Sequence, residues 1–189
     1  MKKILKTLLW KITPLVKLFL RLFFDKKYLT GRYFDKSFEG YIFALRSIWV
    51  KNILRLSKPK CFPTALTCQV SNDQNIYFHP DDINNFQSPG TYFQNFKGKI
   101  YIGKGTYIAP NVGIITANHK LTDLDAHTEG LDVKLGEKCW IGMNSVILPG
   151  VELGDNTIVA AGAVVTKSFT KGYVVIGGVP AKEIKEIQK

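Results

Sequence analysis

From Ile102 onward, aliphatic residues recur at every sixth position. Ile102, Ile108 and Ile114 open the units IGKGTY, IAPNVG and IITANH, and after a break the phase resumes at Leu135, Ile141, Ile147, Leu153, Val159 and Val165. The fifth positions of the later units are small or β-branched (Cys139, Ser145, Val151, Thr157, Ala163), and Gly follows the aliphatic residue at 103, 136, 142 and 154. A period of six fits neither an α-helix nor a hairpin meander. It predicts a chain coiling through flat faces, with the aliphatics stacked inside and Gly or Asn at the corners. Leu135 lies 21 residues after Ile114, which is not a multiple of six, so residues 120–134 are expected to leave the coil as an excursion.

The first 60 residues carry a different pattern. At 100° per residue Lys2, Lys3, Lys6, Lys17 and Arg21 share one side of a helix whose remainder is largely Leu, Ile, Phe and Trp10, with Lys11 as the exception and Pro14 as an expected kink or break. Tyr41 to Leu56 reads as a second apolar, basic helix. These 60 residues hold 15 Lys and Arg against three acids, a balance of +12, so the net charge of +11 belongs to this segment and the rest is near neutral. The expected organisation is a basic amphipathic helical appendage over 1–60 and a coil domain over 61–189, with a C-terminal helix over 180–188 in PAKEIKEI. Basic residues interrupt the N-terminal apolar run every few positions, which argues against a signal peptide or a spanning helix. Contact with an anionic membrane surface through residues 1–57 suits the pattern, and packing on the rest of the protein is the alternative. No nucleic-acid-binding signature accompanies the charge, so no nucleic-acid partner is expected. Cys61, Cys68 and Cys139 have no zinc-site spacing; a Cys61–Cys68 bridge is the alternative to their reading as reduced thiols of a cytoplasmic protein, peripheral on the inner face of the membrane.

The repeat, together with IAPNVGIITANHK, CWIGMNSVILPGVELGDNTIVAAGAVVTK and GGVPAKEIKEI, resembles the hexapeptide-repeat acyltransferases, the family of the maltose and galactoside acetyltransferases. The resemblance covers about residues 96–189. It implies an all-β fold, a left-handed parallel β-helix, assembled as a homotrimer with the coenzyme groove between subunits. The implied reaction is O-acetyl transfer from acetyl-CoA, with no metal, to a sugar hydroxyl of a surface or lipid-linked glycan. N-acyl transfer to an amino sugar, a small soluble acceptor and a non-catalytic scaffold are the alternatives.

His119 ends the third unit, off the inward column and next to the excursion, where an imidazole can take the proton of an attacking hydroxyl. The resemblance makes it the general base, with Asn118 and Trp140 toward the acceptor. A backbone N–H of Gly142 or Met143 is implied as the oxyanion donor, because Met143 stands where relatives often carry Ser. Ala161, Gly162, Thr166 and Lys167 are implied along the pantetheine arm, and Lys182 and Lys185 at the phosphates. His127 reads as a surface residue of the excursion. The acid or Asn that orients the base in sugar-modifying relatives aligns with Lys97 and Pro89, leaving Asn95 and Asp82 as alternatives.

Overall fold

The computed structural model describes residues 2–188, with side chains from residue 9. The predicted stripe on Lys2, Lys3 and Lys6 lies outside the described side chains. Helix α1 (Lys2–Leu20) runs through Pro14 rather than ending there. Pro14 has no N–H for the carbonyl of Trp10 one turn back, and the Thr13 hydroxyl donates to that carbonyl at 2.8 Å instead. Helix α2 (Glu39–Ser47) continues into a π-helical segment, Ile48–Ile53. No helix among the described residues is long and apolar enough to cross a membrane.

The coil follows as a three-sided prism. Its first turn holds β1 (Gln69–Val70) and β2 (Ile76–Tyr77), and its second β3 (Tyr92–Gln94), β4 (Ile100–Ile102) and β5 (Tyr107–Ile108). The third turn begins at β6 (Gly113–Ile115), leaves the coil through the antiparallel hairpin β7 (His119–Lys120) and β8 (Asp123–His127), and returns as β9 (Val133–Leu135) and β10 (Trp140–Ile141). The fourth comprises β11 (Val146–Ile147), β12 (Glu152–Leu153) and β13 (Ile158–Val159). The last holds β14 (Val164–Val165) and β15 (Val174–Gly177), and β16 (Lys182–Glu186) folds back on β15. Parallel stacking makes a first face of β1, β3, β6, β11 and β14, a second of β2, β4, β9 and β12, and a third of β5, β10, β13 and β15.

Register explains the phase break. Val146 pairs with Val164 and Trp140 with Ile158, in each case three hexapeptides on. Across the excursion Gly113 pairs with Val146 and Tyr107 with Trp140, three hexapeptides plus 15 residues. The insertion therefore leaves the stacking of the coil intact. All nine predicted column residues, from Ile102 to Val165, are at most 5% exposed, and the five small fifth-position residues are at most 1% exposed. At roughly 1.5–3 kcal/mol for each large aliphatic side chain buried, this column is the main support of strands only two or three residues long.

Two expectations are corrected. Within residues 180–188 the chain forms strand β16 (Lys182–Glu186), not a helix. Strand β15 ends the third face with unpaired N–H and C=O groups, and satisfying them outweighs the marginal stability of a helix this short. The glycines at 103, 136, 142 and 154 are not corner residues with left-handed φ; that conformation falls to others, among them Asn111, Lys138, Asn144, Asn156 and Gly162. A Cβ on Gly142 would sit 2.6 Å from the Val159 carbonyl oxygen, so close approach of successive turns requires this Gly.

The N-terminal segment shares the hydrophobic core of the coil. Leu20, Phe24, Tyr28, Leu29, Phe34, Tyr41, Ala44 and Ile48 are buried in the same cluster as Phe86, Phe93 and Ile114. Tyr28, Phe62, Phe78, Phe86 and Phe93 form a chain of ring contacts with centroids 4.5–5.1 Å apart, carrying the core from the appendage into β3. Arg32 adds a polar tie: its N–H donates to the Asp81 carboxylate at 2.6 Å and its Nε to the Asp81 carbonyl at 2.7 Å. The outer side of the same segment keeps Leu15, Leu18, Leu22, Trp49, Ile53 and Leu56 more than half exposed.

Candidate active site

The excursion is held by a polar neck. The Gln94 side chain accepts from the N–H groups of Thr116 and Ala117 at 3.0 and 3.1 Å and donates to the Ala117 carbonyl at 2.9 Å. The Leu131 N–H closes the neck on the Thr116 carbonyl at 2.8 Å. Above it, the Thr128 N–H donates to the Asn118 carbonyl at 2.8 Å, and the Asn118 N–H to the Thr128 hydroxyl at 3.1 Å. The backbone of Asn118 is thus pinned while its side chain stays exposed beside His119.

His119 is exposed, and its Nδ1 lies 2.5 Å from the Leu124 carbonyl oxygen. A carbonyl only accepts, so this contact requires a proton on Nδ1. In the neutral imidazole Nε2 is then the free acceptor, the tautomer a general base needs. His127, which pairs with His119 across the hairpin, lies against it with ring centroids 4.3 Å apart and planes tilted by 36°, and Phe96 meets His127 edge-on at 4.9 Å. The contact that holds the His119 ring is thus to a backbone carbonyl of the excursion, which leaves no trace in a sequence. His127, expected as a plain surface residue, is the ring that flanks the imidazole. Neither suggested alternative faces His119 within the protomer. Asn95 is buried and bonds the backbone of Asn72 on both sides, and Asp82 is buried and accepts from the Gly105 N–H at 2.8 Å. Burial raises the Asp82 carboxyl pKa, against the pull of that N–H and of Arg32.

The remaining predicted residues stand at other places on the prism. Gly142 and Met143 turn the corner from the third face to the first, with Ala161 and Gly162 one turn above them, whereas His119 sits at the corner from the first face to the second. Thr166 and Lys167 share the corner of His119 two turns on, and the Lys167 ammonium lies 5.6 Å over the Phe169 ring. Trp140 projects from the third face, 56% exposed, between Tyr107 and Ile158. Lys182 and Lys185 are exposed on β16.

Gly142 is corrected as an oxyanion donor. Its N–H is committed to the Val159 carbonyl at 2.9 Å in the stacking ladder. The Met143 N–H has no intramolecular acceptor among the described residues, nor has that of Ala161 one turn above. A Cβ on Gly162 would meet nothing within 4 Å. This corner thus offers small side chains and unspent backbone donors to an extended apolar arm with amides, and the exposed lysines of β16 suit phosphates.

Burial, together with Asp73, pushes the Cys61 thiol up to about 12, and burial raises that of Cys68 to about 11. A concavity of about 730 Å³ along the second face, between Tyr77, Tyr101, Lys134 and Glu152, does not include His119. The imidazole and the open backbone donors therefore stand at separate corners of the prism.

The bacterial transferase hexapeptide family, six repeats, matches residues 132–167, the stretch from the return of the excursion through β14. A protein of Dictyostelium discoideum provisionally named an acetyltransferase is 41% identical over 131 residues, 62% of this chain and 68% of that protein. Galactoside O-acetyltransferase of Escherichia coli strain K12 is 38% identical over 91 residues, 47% of this chain. The match spans less than half the length of several such relatives, 44% of the Escherichia coli enzyme among them. The crystal structure of a hexapeptide-repeat-containing acetyltransferase from Vibrio cholerae O1 biovar eltor, complexed with acetyl coenzyme A, superposes with a TM-score of 0.51 at 26% identity over 60% of each chain. With the repeat, the stacked three-sided coil and a relative matched over two thirds of its length in agreement, the chain belongs to the hexapeptide-repeat acetyltransferases, and its coil is their left-handed parallel β-helix.

Proposed function

We propose that the protein is an O-acetyltransferase moving the acetyl group of acetyl-CoA to a sugar hydroxyl of a surface or lipid-linked glycan, with His119 as general base. The observation that carries this reading is the contact between His119 Nδ1 and the Leu124 carbonyl, which leaves Nε2 as an exposed acceptor on a fixed ring. Acetyl-CoA supplies an activated thioester. His119 Nε2 takes the proton of the acceptor hydroxyl as its oxygen bonds the thioester carbonyl carbon, and the Met143 N–H faces the oxygen that gains charge. When the carbon–sulfur bond breaks, the imidazolium returns that proton to the departing sulfur. Trp140 and Asn118 sit toward the acceptor, Ala161, Gly162, Thr166 and Lys167 along the pantetheine arm, and Lys182 and Lys185 at the phosphates.

Such a site needs the corners of two protomers to meet, which supports a homotrimer with its clefts between subunits. The apolar residues facing outward from the first and third faces, Val146, Val164, Trp140 and Ile158, favour the same packing. Light scattering at micromolar concentration is expected to report three copies; a monomer that still turns over would remove the shared site. Galactoside O-acetyltransferase among the relatives makes galactosides the first acceptors to try, followed by extracted surface glycans. With acetyl-CoA, the expected results are acceptor-dependent release of free coenzyme A and a mass gain of one acetyl group on the glycan. Acetylation of an amino sugar nitrogen alone would turn the reading to N-acyl transfer. Failure to bind coenzyme A at all would reject the enzyme.

A further inference from the structure

Lys51, in the segment after α2, is 3% exposed, and its ammonium donates to the Thr64 hydroxyl at 2.5 Å. No carboxylate lies within ion-pair distance of it among the described residues. Burial lowers its pKa, and Lys60 adds repulsion. A buried cation without a counterion is costly unless a ligand supplies one.

Two clefts meet at this residue. One, of about 540 Å³, is lined by Lys51, Asn52, Arg55, Ser57, Lys58 and Pro59. The other, of about 210 Å³, lies between Lys51, Ser57, Lys58, Lys60 and strand β1. Neither lining contains an acid. The Ser57 hydroxyl is buried with no hydrogen-bond partner. Strand β1 opens the first face, and the N–H groups of Gln69 and Ser71 go to β3, so the Val70 N–H between them points to the open side. Ammonium groups, a hydroxyl and a backbone N–H with no negative charge form the donor set of a phosphate site.

Beside the clefts, Trp49, Ile53, Leu54 and Leu56 are 47–60% exposed. A soluble phosphate ester has no use for four such side chains; a phosphate anchored at the boundary of acyl chains does. We propose that the cleft between Lys51, Ser57 and Lys58 binds the phosphate of an anionic phospholipid headgroup, with Trp49, Ile53, Leu54 and Leu56 entering the bilayer boundary. The site lies at the start of the coil, before its second turn, and is independent of the acetyl-transfer reading. It would hold the enzyme on an anionic leaflet, the peripheral inner-membrane position expected from the basic N-terminal segment.

The full-length protein is tested by co-sedimentation with vesicles of phosphatidylcholine alone and of phosphatidylcholine with phosphatidylglycerol. Binding is expected only to the anionic vesicles, with a blue shift in tryptophan emission that is lost in Trp49→Phe. Lys51→Met and Lys58→Gln should each weaken binding about fivefold or more, whereas Lys99→Gln, an equal charge change on the coil, should not. Lys51→Met removes a desolvated charge and should not lower the melting temperature; if it fails to fold, the exposed Lys58→Gln carries the comparison. Equal losses in Lys58→Gln and Lys99→Gln would reduce the effect to general surface charge and overturn the site. Inorganic phosphate that stabilises the wild type but not Lys51→Met, with no vesicle binding, would overturn the lipid assignment in favour of a soluble phosphate. Binding to neither probe would overturn the proposal altogether.

Discussion

Replacing His119 with alanine should lower acetyl-transfer turnover by about two to four orders of magnitude while leaving acetyl-CoA affinity nearly unchanged, because the proton is taken only as the acceptor oxygen attacks. The fold should survive. The side chain is exposed and lies outside the aliphatic column, so truncating it opens no core cavity, and the hairpin keeps its backbone bonds between Asn118 and Thr128. His119→Asn is the stricter variant: its amide can still donate to the Leu124 carbonyl but provides no base of suitable pKa. It should be nearly as inactive as the alanine variant. His127→Phe keeps a ring against His119 and removes the second imidazole, so it separates a packing role from proton transfer. Retention of more than about a tenth of wild-type turnover by either His119 variant, with intact fold and assembly, would remove His119 as the base.

How far the molecule could be read in advance depends on what each feature rests upon. The inward column was legible because burial imposes one residue class at one spacing, and Ile102 to Val165 obey it without exception. The excursion was legible for the same reason, since an insertion that is not a multiple of six must leave the coil for Val146 to remain stacked on Gly113. His119 stood out by its place at that break. What surrounds it did not. The Leu124 carbonyl belongs to the backbone, and the ring contact of His127 with His119 depends on a hairpin register that no hydrophobic pattern encodes. Gly142 was misread because the motif does not reveal that its N–H is taken by Val159 in the next turn. PAKEIKEI was misread for a related reason, because its charge pattern suits a helix while the open edge of β15 demands a strand. For the N-terminal segment the pattern left membrane contact and packing on the coil both open, because it is apolar almost all round; Leu20, Phe24 and Phe34 supply a core face and Leu15, Leu18 and Leu22 an exposed one.

Gly136→Ala is expected to cost more stability than any exposed substitution considered above. A Cβ at this position would lie 2.6 Å from the Asp155 backbone nitrogen and 2.7 Å from the Gly154 carbonyl carbon, both main-chain atoms of the next turn. Below, the same stack is equally close, since a Cβ on Gly103 would come 2.3 Å from the Gly136 carbonyl carbon. The backbone has little freedom to yield. The Gly136 N–H donates to the Leu153 carbonyl at 2.8 Å, its carbonyl accepts from the Thr106 hydroxyl at 2.7 Å, and the neighbouring Glu137 N–H is held by the Asp155 carboxylate at 2.7 Å. Relief therefore requires spreading two turns of the coil and lengthening their ladder, an overpacking cost of about 1–3 kcal/mol or somewhat more. For a chain of this length that corresponds to a melting temperature lower by about 2–12 °C. Gly162→Ala is the informative partner, because its Cβ would meet nothing within 4 Å and only its φ of +72° opposes the change. Its cost should be about 1–2 kcal/mol of backbone strain, and its main effect should be weaker acetyl-CoA binding, if that open corner takes the pantetheine arm. Calorimetry on both variants, with acetyl-CoA titrations on each, tests the pair. A Gly136→Ala protein that melts with the wild type would mean that close approach between turns does not explain the glycine at this position.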